Sequence, residues 1–415
     1  MLDHHTNISE LIKQKRETLG LNQREFSEFI GLNDGGERTI GGWERGEHMP
    51  TPAKLERIQN IKSTPPFQDL RTTYPFSFID LFAGIGGIRL GFQLNHGKCV
   101  FTSEWDKFSK KTYAANFGEL PHGDITKIES QTIPKHDVLL AGFPCQAFSQ
   151  AGLKRGFNDT RGTMFFEIQR ILAHHQPKAF LLENVKQLKG HDQGRTLETI
   201  LEILRGKFTA TIPEDVELSD ETRKSLNTKL NYNVDFRVLK ASDFGVPQNR
   251  ERVYILGFNK DKVPACNTSD VAKEIFDRLS EVKLQSSLFD ALQSNAIVDP
   301  KYTLSERLWN GHKRRKEQHK LRGNGFGYSL FSPNDKACNT ISARYYKDGS
   351  EILIDQSDIN QNPRKLTPLE CAKIQGFPSK FILDAVSDTQ YYRQFGNSVT
   401  VPVIEAIAKE MLPLL

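Results

Sequence analysis

Residues 138–150 read VLLAGFPCQAFSQ. The apolar run at 138–141 predicts a buried strand of a parallel sheet, which Gly142 ends, and Pro144 stiffens the turn that follows. Cys145 would then lie at the carboxyl end of this strand, where open α/β sheets place their ligands. A cysteine at such a corner can act as a nucleophile once its pKa is lowered, whereas a lone cysteine is more often a buried structural residue. The neighbouring stretches decide between the two interpretations.

A glycine-rich turn precedes this strand. The stretch FSFIDLFAGIGGIRLGF at 76–92 predicts a strand, a turn and a helix, and Gly84, Gly86 and Gly87 let the backbone pass close to a ligand. The G-x-G-G spacing differs from the dinucleotide fingerprint, and no Lys-Ser or Lys-Thr pair follows the glycines. A P-loop is therefore excluded.

Two acids and an aromatic residue follow the glycine turn at predicted strand ends. Glu104 comes about twenty residues after the glycines, where Rossmann-type folds place an acid on ribose hydroxyls. Trp105 offers a flat face to an adenine, and Asp124 is the second acid. Each acid alone would be interpreted as a solvated group, but the set describes a nucleoside pocket without pyrophosphate recognition. S-adenosylmethionine (SAM) is a cofactor of that kind.

Two stretches downstream carry further charged side chains. AFLLENV at 179–185 predicts a buried strand with Glu183 at its carboxyl end, where apolar neighbours would raise its pKa and let it donate a proton. FGVPQNRERVYILGF at 244–258 predicts a strand that places Gln248, Arg250 and Arg252 on one face, toward an anion or a carbonyl oxygen. The alternatives are an acid that caps a turn and a salt-bridge ladder on the surface.

The ordered motifs resemble those of the DNA (cytosine-5)-methyltransferases. They are DLFAGIGG (80–87), SEWD (103–106), GDI (123–125), GFPCQAFS (142–149), RGTMFFEI (161–168), ENV (183–185), QNRER (248–252), RKLTPLECAKIQGFP (364–378) and YRQFGNSVTVPV (392–403). The resemblance implies a doubly wound, Rossmann-like α/β domain over 76–258, completed by 386–415. It also implies a small, mostly β target recognition domain over 259–385.

The resemblance also assigns chemical roles. Cys145 would add to C6 of a cytosine flipped out of the duplex, Glu183 would bond N3, and Arg252 would hold O2, with Arg250 and Gln248 supporting the site. The methyl donor would be SAM and the product S-adenosyl-L-homocysteine, and no metal is expected.

Further residues are assigned to the cofactor and to DNA in the same way. The resemblance implies a cofactor pocket lined by Phe82, Gly84, Gly86, Gly87, Glu104, Trp105, Asp124, Ile125, Pro144, Asn397 and Ser398. The loop after Cys145 would close over the DNA, with Gln146 or Ser149 near the gap left by the flipped base.

Residues 1–62 have the pattern of an all-α unit of short helices. Asn22 is expected to cap the second helix. LGLNQREFSEFIGL followed by TIGGWERGEHMPTP resembles the helix-turn-helix domain of phage repressors. The resemblance implies that Gln23, Arg38 and the segment 37–43 face DNA. A small helical interaction domain is the alternative, and the Pro- and Thr-rich residues 63–75 predict a linker.

The region 259–362 contains a basic run. Residues 300–325 hold eight Lys or Arg against two Glu, which favours contact with DNA phosphates, although a solvated basic helix fits equally well. TISARYYKDGSEILID at 340–355 predicts two strands around a Lys-Asp-Gly turn. Arg344, Tyr345 and Lys347 are the candidate DNA contacts. GNGFGYSLF and SARYYKDGSEILI resemble the recognition domains of methyltransferases that act on CCNGG- or CCWGG-like sites.

Composition sets the wider limits. The chain has 415 residues, a formal net charge of +5 and five dispersed cysteines without a C-x-x-C pair, so neither a disulfide framework nor a Cys-rich zinc site is supported. No signal sequence or membrane span is recognisable. These limits favour a cytoplasmic protein. The resemblance implies a nucleoid-associated bacterial enzyme that acts on double-stranded DNA as a monomer, protects it from a cognate restriction enzyme and binds operator DNA through its N-terminal domain. A DNA-binding regulator with a scaffold methyltransferase half is the alternative.

Overall fold

The computed structural model describes residues 2–18, 21–32, 35–61, 65–144, 164–207 and 218–415. The predicted nucleophile Cys145 and the predicted DNA contacts Gln146 and Ser149 lie outside the described residues. The helices and strands are, in chain order, α1 (Leu2–Thr18), α2 (Gln23–Phe29), α3 (Gly36–Glu44), α4 (Pro52–Asn60), β1 (Ser77–Leu81), α5 (Gly87–Leu94), β2 (Lys98–Ser103), α6 (Lys107–Phe117), β3 (Val138–Gly142), α7 (Met164–His175), β4 (Ala179–Val185), α8 (Arg195–Leu204), α9 (Asp220–Ser225), β5 (Tyr232–Lys240), β6 (Glu251–Asn259), α10 (Val271–Ser280), α11 (Leu288–Ala291), α12 (Glu306–Leu321), β7 (Leu330–Phe331), β8 (Leu353–Ile354), α13 (Pro368–Lys373), α14 (Asp388–Asn397) and α15 (Val401–Met411).

Helices α1–α4 form the N-terminal unit around a small apolar core. The central side chains of this core are Ile12, Phe26, Ile40, Trp43 and Ile58. The predicted cap at Asn22 is confirmed, since its side chain accepts a hydrogen bond from the Glu25 backbone N–H while the Glu25 carboxylate accepts one from the Asn22 N–H. The all-α character expected for this unit is confirmed as well.

The N-terminal unit packs against the rest of the chain through α6. Ala114 and Ala115 of α6 belong to the same apolar cluster as the core of α1–α4, and Ile382 and Ala385 pack at its edge. The Arg57 guanidinium, at the end of α4, donates a hydrogen bond of 3.0 Å to the Ala385 carbonyl oxygen. The N-terminal unit is therefore joined to the helix that begins directly after the predicted cofactor residues Glu104 and Trp105.

A six-stranded sheet in the order β2-β1-β3-β4-β6-β5 forms the centre of the described chain. Strands β1 to β4 are parallel, whereas β6 runs antiparallel to both β4 and β5. Helices α7 and α8 cover one face of the sheet, while α5, α10 and α15 cover the other. Both faces are buried, which explains why β3 and β4 are continuous apolar runs and confirms the doubly wound class.

The C-terminal segment returns to the glycine turn. Helix α15 packs along α5, and the residues just before it lie beside Gly87. A Cβ atom at Gly87 would lie 2.9 Å from both Ser398 Oγ and Val399 Cγ2, closer than real Cβ contacts allow. The glycine at this position therefore lets the C-terminal segment reach the start of α5.

Residues 259–385, called the recognition region after the role that the resemblance implies, differ from the mostly β domain expected for them. Its only ladder of strands is the two-residue pair β7 and β8, and its longest element is the sixteen-residue helix α12. The first of the two strands expected around the Lys-Asp-Gly turn is a series of turns over residues 343–348. The β-prone side chains there are held by tertiary contacts, which override local propensity.

Tyr345 illustrates this difference. Its ring is fully buried, and its hydroxyl donates to the Ile352 carbonyl at 2.7 Å and accepts from the Leu366 N–H at 2.8 Å. Because both hydrogen-bonding directions are satisfied inside the core, the prediction that Tyr345 contacts DNA is wrong. Arg344 and Lys347, on either side of it in sequence, are exposed.

Candidate active site

Strands β3 and β4 end side by side at the carboxyl edge of the sheet. Gly142 pairs with Glu183, and the Glu183 carboxylate lies 3.1 Å from Arg252 Nε on the neighbouring strand β6. A Cβ atom at Gly142 would lie 3.3 Å from Glu183 Oε2, so the glycine leaves room for this carboxylate. The structure thus brings together Glu183 and Arg252 beside the end of β3, the strand after which the sequence predicts a reactive cysteine.

The environment of Glu183 favours its protonated form. Burial raises its pKa, and the guanidinium groups of Arg252 and Arg250 act in the opposite direction without cancelling that effect. The result is a carboxyl group that holds its proton to a higher pH than an exposed glutamic acid while its orientation is fixed by Arg252. This direction agrees with the one expected for Glu183, which stays a candidate proton donor.

Asn184 holds the end of β3 in place. Its side-chain nitrogen donates a hydrogen bond of 3.0 Å to the carbonyl oxygen of Phe143, and its oxygen accepts from the Val185 N–H at 2.8 Å. Phe143 directly precedes Pro144, so the neighbouring strand fixes the backbone that leads into the corner. Sequence reasoning quoted Asn184 but gave it no role; an amide buried within an apolar strand was the available signal.

Arg250 has a different position from the one expected. It is buried, and its guanidinium donates to the carbonyl oxygens of Ile341 at 3.1 Å, of Gly396 at 3.0 Å and of Ser398. Its hydrogen-bonding atoms therefore join the recognition region to the C-terminal segment. Arg250 is a positioning residue, and the prediction of a direct catalytic role is corrected.

Gln248 is fully buried as well. Its amide nitrogen donates to the Ile374 carbonyl at 3.4 Å and its amide oxygen accepts from the Ile341 N–H at 3.3 Å, so the predicted DNA contact by Gln248 is wrong. The expected strand also begins late, at Glu251, because Pro247 lacks an N–H and Gln248 bridges to Cys338 instead. Gln248 supports the site indirectly, because it holds the backbone at Ile341 and Ile374.

Glu104 ties the glycine turn to the start of α6. Its Oε2 atom accepts the Gly84 N–H at 2.8 Å, its Oε1 atom accepts the Asp106 N–H at 2.7 Å, and burial raises its pKa. A Cβ atom at Gly84 would meet nothing within 4 Å, so the turn borders open space. Phe82 has a φ of 56°, a left-handed conformation that is uncommon in a residue other than glycine and that marks a strained backbone at this turn.

The other predicted cofactor residues lie on neighbouring elements. The Trp105 side chain is 80% exposed, and Asp124 accepts hydrogen bonds from the N–H and the hydroxyl of Thr126 at 3.1 and 2.8 Å. Ile125 is buried, while Asn397 and Pro144 are exposed. Two acids that can accept hydrogen bonds from ribose hydroxyls or an adenine amine, together with an exposed indole face, fit a nucleoside. SAM contains such a nucleoside.

Two predicted DNA-facing side chains of the N-terminal unit have different environments. Arg38 on α3 is exposed, whereas the amide nitrogen of Gln23 donates to a Glu44 carboxylate oxygen at 2.8 Å. Arg38 is thus available to an external partner in the described structure, and Gln23 already has an internal one.

The comparison with protein families agrees with this geometry. The model of the C-5 cytosine-specific DNA methylases matches residues 76–206 and 219–413, and a helix-turn-helix model matches residues 12–61. The chain belongs to the C-5 cytosine-specific DNA methylase family. This cytosine-5 DNA methyltransferase also carries an N-terminal helix-turn-helix domain.

Curated relatives extend over the whole methyltransferase. It is 52% identical over 410 residues to the Type II methyltransferase M.SsoII of Shigella sonnei, with 99% of each chain covered. It is 51% identical over 411 residues to the Type II methyltransferase M1.ScrFI of Lactococcus lactis subsp. cremoris, covering 99% of this chain and 96% of the relative. The crystal structure of the S. pombe Dnmt2 methyltransferase shares the fold with a TM-score of 0.59 at 19% identity, covering 82% of this methyltransferase and 99% of that chain.

The described part of the methyltransferase shows neither a metal site nor a membrane-spanning helix. There, Cys99, Cys266, Cys338 and Cys371 are free thiols. The described residues contain no group of three or more His, Cys, Asp or Glu side chains arranged to hold a metal ion. Within the same residues, every helix is too short or too polar to cross a membrane.

Proposed function

We propose that this methyltransferase transfers a methyl group from SAM to C5 of one cytosine in a short double-stranded site, and that the base is flipped out of the duplex to react. The observation that carries the proposal is the buried Glu183–Arg252 pair beside the end of β3. Such a pair matches a pyrimidine edge, because a protonated carboxyl can donate to N3 while a guanidinium donates to O2.

The reaction needs activation of C5, which is a weak nucleophile. The Cys145 thiolate adds to C6, forming a C–S bond, while Glu183 hydrogen-bonds N3 and shares its proton, so that the ring does not carry a full negative charge. The C5 atom then attacks an electrophilic methyl group, which SAM supplies when bound. Loss of the C5 proton and of the Cys145 sulfur from C6 restores the aromatic ring as 5-methylcytosine.

The cofactor would be held by residues of the glycine turn and of the segments beside it. The Glu104 carboxylate and the Trp105 indole would bind the ribose and the adenine, and Asp124 the adenine edge. Gly84 borders open space in which the methionine part would lie, while Gly86 and Gly87 let Phe117 and Ser398 pack closely against the same turn. The cofactor assignment rests on these two acids, the indole and the glycine turn.

Helix α12 offers a surface for the DNA backbone. Its exposed side chains include Lys313, Arg314 and Lys320, while one side of the helix is fastened to the loop after it by Trp309 and Tyr328, whose ring centroids are 4.6 Å apart. We assign α12 to phosphate contact and Arg344 and Lys347 to contact with the duplex near the target base. The CCNGG- or CCWGG-like motif remains the proposed target class.

Bisulfite sequencing of a plasmid carried by cells that express the protein tests the proposal. We expect protected cytosines at one short recurring site for the wild type and none for Cys145→Ser. The Cys145→Ser protein should still bind SAM and DNA. Protection in the Cys145→Ser strain would refute the assigned nucleophile. No protection from a folded, SAM-binding wild type would favour the DNA-binding regulator with a scaffold methyltransferase half.

The helix-turn-helix domain supports a second role. Arg38 is exposed on α3, the helix that follows the turn, so we propose that residues 1–62 bind operator DNA and repress the methyltransferase's own or a neighbouring gene. Deleting them should relieve repression in a promoter–reporter assay while plasmid methylation persists; an unchanged reporter would refute the role. We propose that the enzyme acts as a monomer on its target, in a bacterial cytoplasm, beside a cognate Type II restriction enzyme.

A further inference from the structure

We propose that Arg170 is a positioning residue of the cofactor pocket, acting through the turn that carries Asp124 and Ile125. The inference rests on the proposed use of SAM. Sequence reasoning gave Arg170 no role, because it lies within the amphipathic helix α7. The available signal was a charge flanked by Ile168 and Ile171.

The guanidinium of Arg170 clamps the segment that leaves the cofactor pocket. It is almost completely buried, and its Nη2 atom donates to the Ile125 carbonyl oxygen at 3.2 Å. Its Nη1 atom donates to Ser130 Oγ at 2.7 Å, at the other end of the same short segment. One side chain therefore holds two points of the segment, and the first is the carbonyl oxygen of Ile125, the residue directly after Asp124.

Two carboxylates orient the guanidinium. Glu167 Oε2, one turn earlier on α7, accepts from Nε at 3.0 Å and from Nη2 at 2.8 Å, and Glu221 Oε2 on α9 accepts from Nη1 at 2.8 Å. Glu167 is itself buried and its other oxygen accepts the Thr222 hydroxyl at 2.7 Å. The planar guanidinium is fixed by these bonds, which is what a directional contact to the Ile125 carbonyl requires.

The clamp complements the local contacts of Asp124. Thr126 donates two hydrogen bonds to the Asp124 carboxylate, whereas Arg170 holds the carbonyl oxygen of Ile125, the next residue. The contacts of Arg170 do not include Glu183, Asn184 or Arg252. Its loss should therefore weaken cofactor binding and leave the chemical step, once the cofactor is bound, unchanged.

Calorimetric titration with S-adenosyl-L-homocysteine, without DNA, tests this role. Arg170→Lys keeps the charge but cannot make the several directed hydrogen bonds of the planar guanidinium. The loss of one charged hydrogen bond predicts about tenfold weaker binding of S-adenosyl-L-homocysteine. The KM for SAM should rise by about the same factor, while kcat at saturating SAM and the Kd for DNA stay at wild-type values. Gln169→Leu is the matched control, since Gln169 joins α7 to Ser225 of α9 and does not touch the segment after Asp124.

Several outcomes would overturn the assignment. Equal weakening in Arg170→Lys and Gln169→Leu would indicate a general effect on α7, and a fall in kcat with an unchanged KM would indicate a different role. If Arg170→Lys does not fold, Glu221→Gln provides the test: it keeps Arg170 but removes one orienting charge, and we expect a smaller, about threefold, rise in KM for SAM. A wild type that does not bind the titrant at all would instead refute the proposed use of SAM.

Discussion

Asp80, in the central strand β1, is a buried carboxyl whose two oxygen atoms have no hydrogen-bond partner in the described structure. Burial raises its pKa to about 7, and the nearby Arg89 reduces that effect only in part. An aspartic acid in the unfolded chain titrates near pH 4. Between these two values, folding requires Asp80 to take up a proton, so the free energy of unfolding falls as the pH rises through this window and is level above it.

Asp80→Asn should remove this dependence, because asparagine stays neutral. Relative to the wild type, the free energy of unfolding of the variant should be about 2–3 kcal/mol higher at pH 8 than at pH 5. Denaturant unfolding at the two pH values measures the difference. Asp137→Asn is the control: Ser77 and Lys178 outweigh burial and lower the pKa of Asp137, so this carboxyl is ionised in both states from pH 5 to pH 8 and its replacement should have the same effect at both values. An equal Asp80→Asn effect at both pH values would contradict the assignment.

Sequence predicted some site residues and missed others for a physical reason. Glu183 and Glu104 were found because a charge at the end of an apolar strand stands out, and the strand direction brings such ends to one edge. Gln248 and Tyr345 were misplaced because polar side chains near a predicted DNA surface can equally well satisfy buried backbone groups. Partners so far apart along the chain cannot be deduced from spacing.

At the scale of elements, the basic side chains of α12 differ in their contacts. Arg315 pairs with Asp348 at 3.3 Å, and Lys316 Nζ donates to the Tyr328 carbonyl at 3.1 Å while lying 4.2 Å from its ring centroid. For Arg314 and Lys320, the structure records no ion pair among the described residues. Charges held ready in this way can displace counterions from DNA without first giving up an internal partner.

Replacing both free charges, as Arg314→Gln with Lys320→Gln, should weaken DNA binding and its dependence on salt. The slope of log K against log salt concentration should become shallower by about 1.8 if each side chain neutralises one phosphate. Fluorescence anisotropy with a duplex at several salt concentrations measures it. Lys409→Gln, which removes an exposed charge from α15, should leave the slope as it is. A double variant with the wild-type slope would contradict the assignment of α12.

Secondary structure is predictable from the sequence where both faces of a strand, or one face of a helix, are buried. It is poorly predictable where buried side chains follow no regular period. β1, β3 and β4 follow the apolar runs quoted from the sequence, and α7 follows its amphipathic pattern. The recognition region folds around side chains such as Tyr345 and the buried ion pair of Arg364 with Glu370, at 2.8 Å. Its turns depend on those long-range contacts, and its alternating residues were therefore mistaken for strands.

For the whole molecule, the helix-turn-helix domain is attached to the catalytic half mainly through its packing against α6. Its buried part consists of small side chains, Ala114 and Ala115, against the apolar core of α1–α4. An ion introduced there would lose its hydration without gaining a partner, at a free-energy cost of several kcal/mol. The domain should then detach while each half keeps its own core.

Ala115→Glu should accordingly speed limited trypsin cleavage between the N-terminal domain and the catalytic half by at least about tenfold. SAM binding should persist, because the first turn of α6 is retained. Lys110→Glu is the control, since it adds the same side chain to the same helix outside the apolar cluster. If the two variants are cleaved at the same rate, α6 is not the main attachment.

Arg250 has a consequence for how target specificity changes over generations. Its guanidinium meets the recognition region at the carbonyl oxygen of Ile341 and the C-terminal segment at those of Gly396 and Ser398. Every amino acid supplies a backbone carbonyl, so mutation of Ile341 or Ser398 does not by itself remove the hydrogen bonds to Arg250. Gly396 is constrained for a different reason, because a Cβ atom there would lie 2.3 Å from the Ala343 backbone nitrogen. The recognition region can therefore change in sequence, or be exchanged as a block, without loss of its joint to the C-terminal segment.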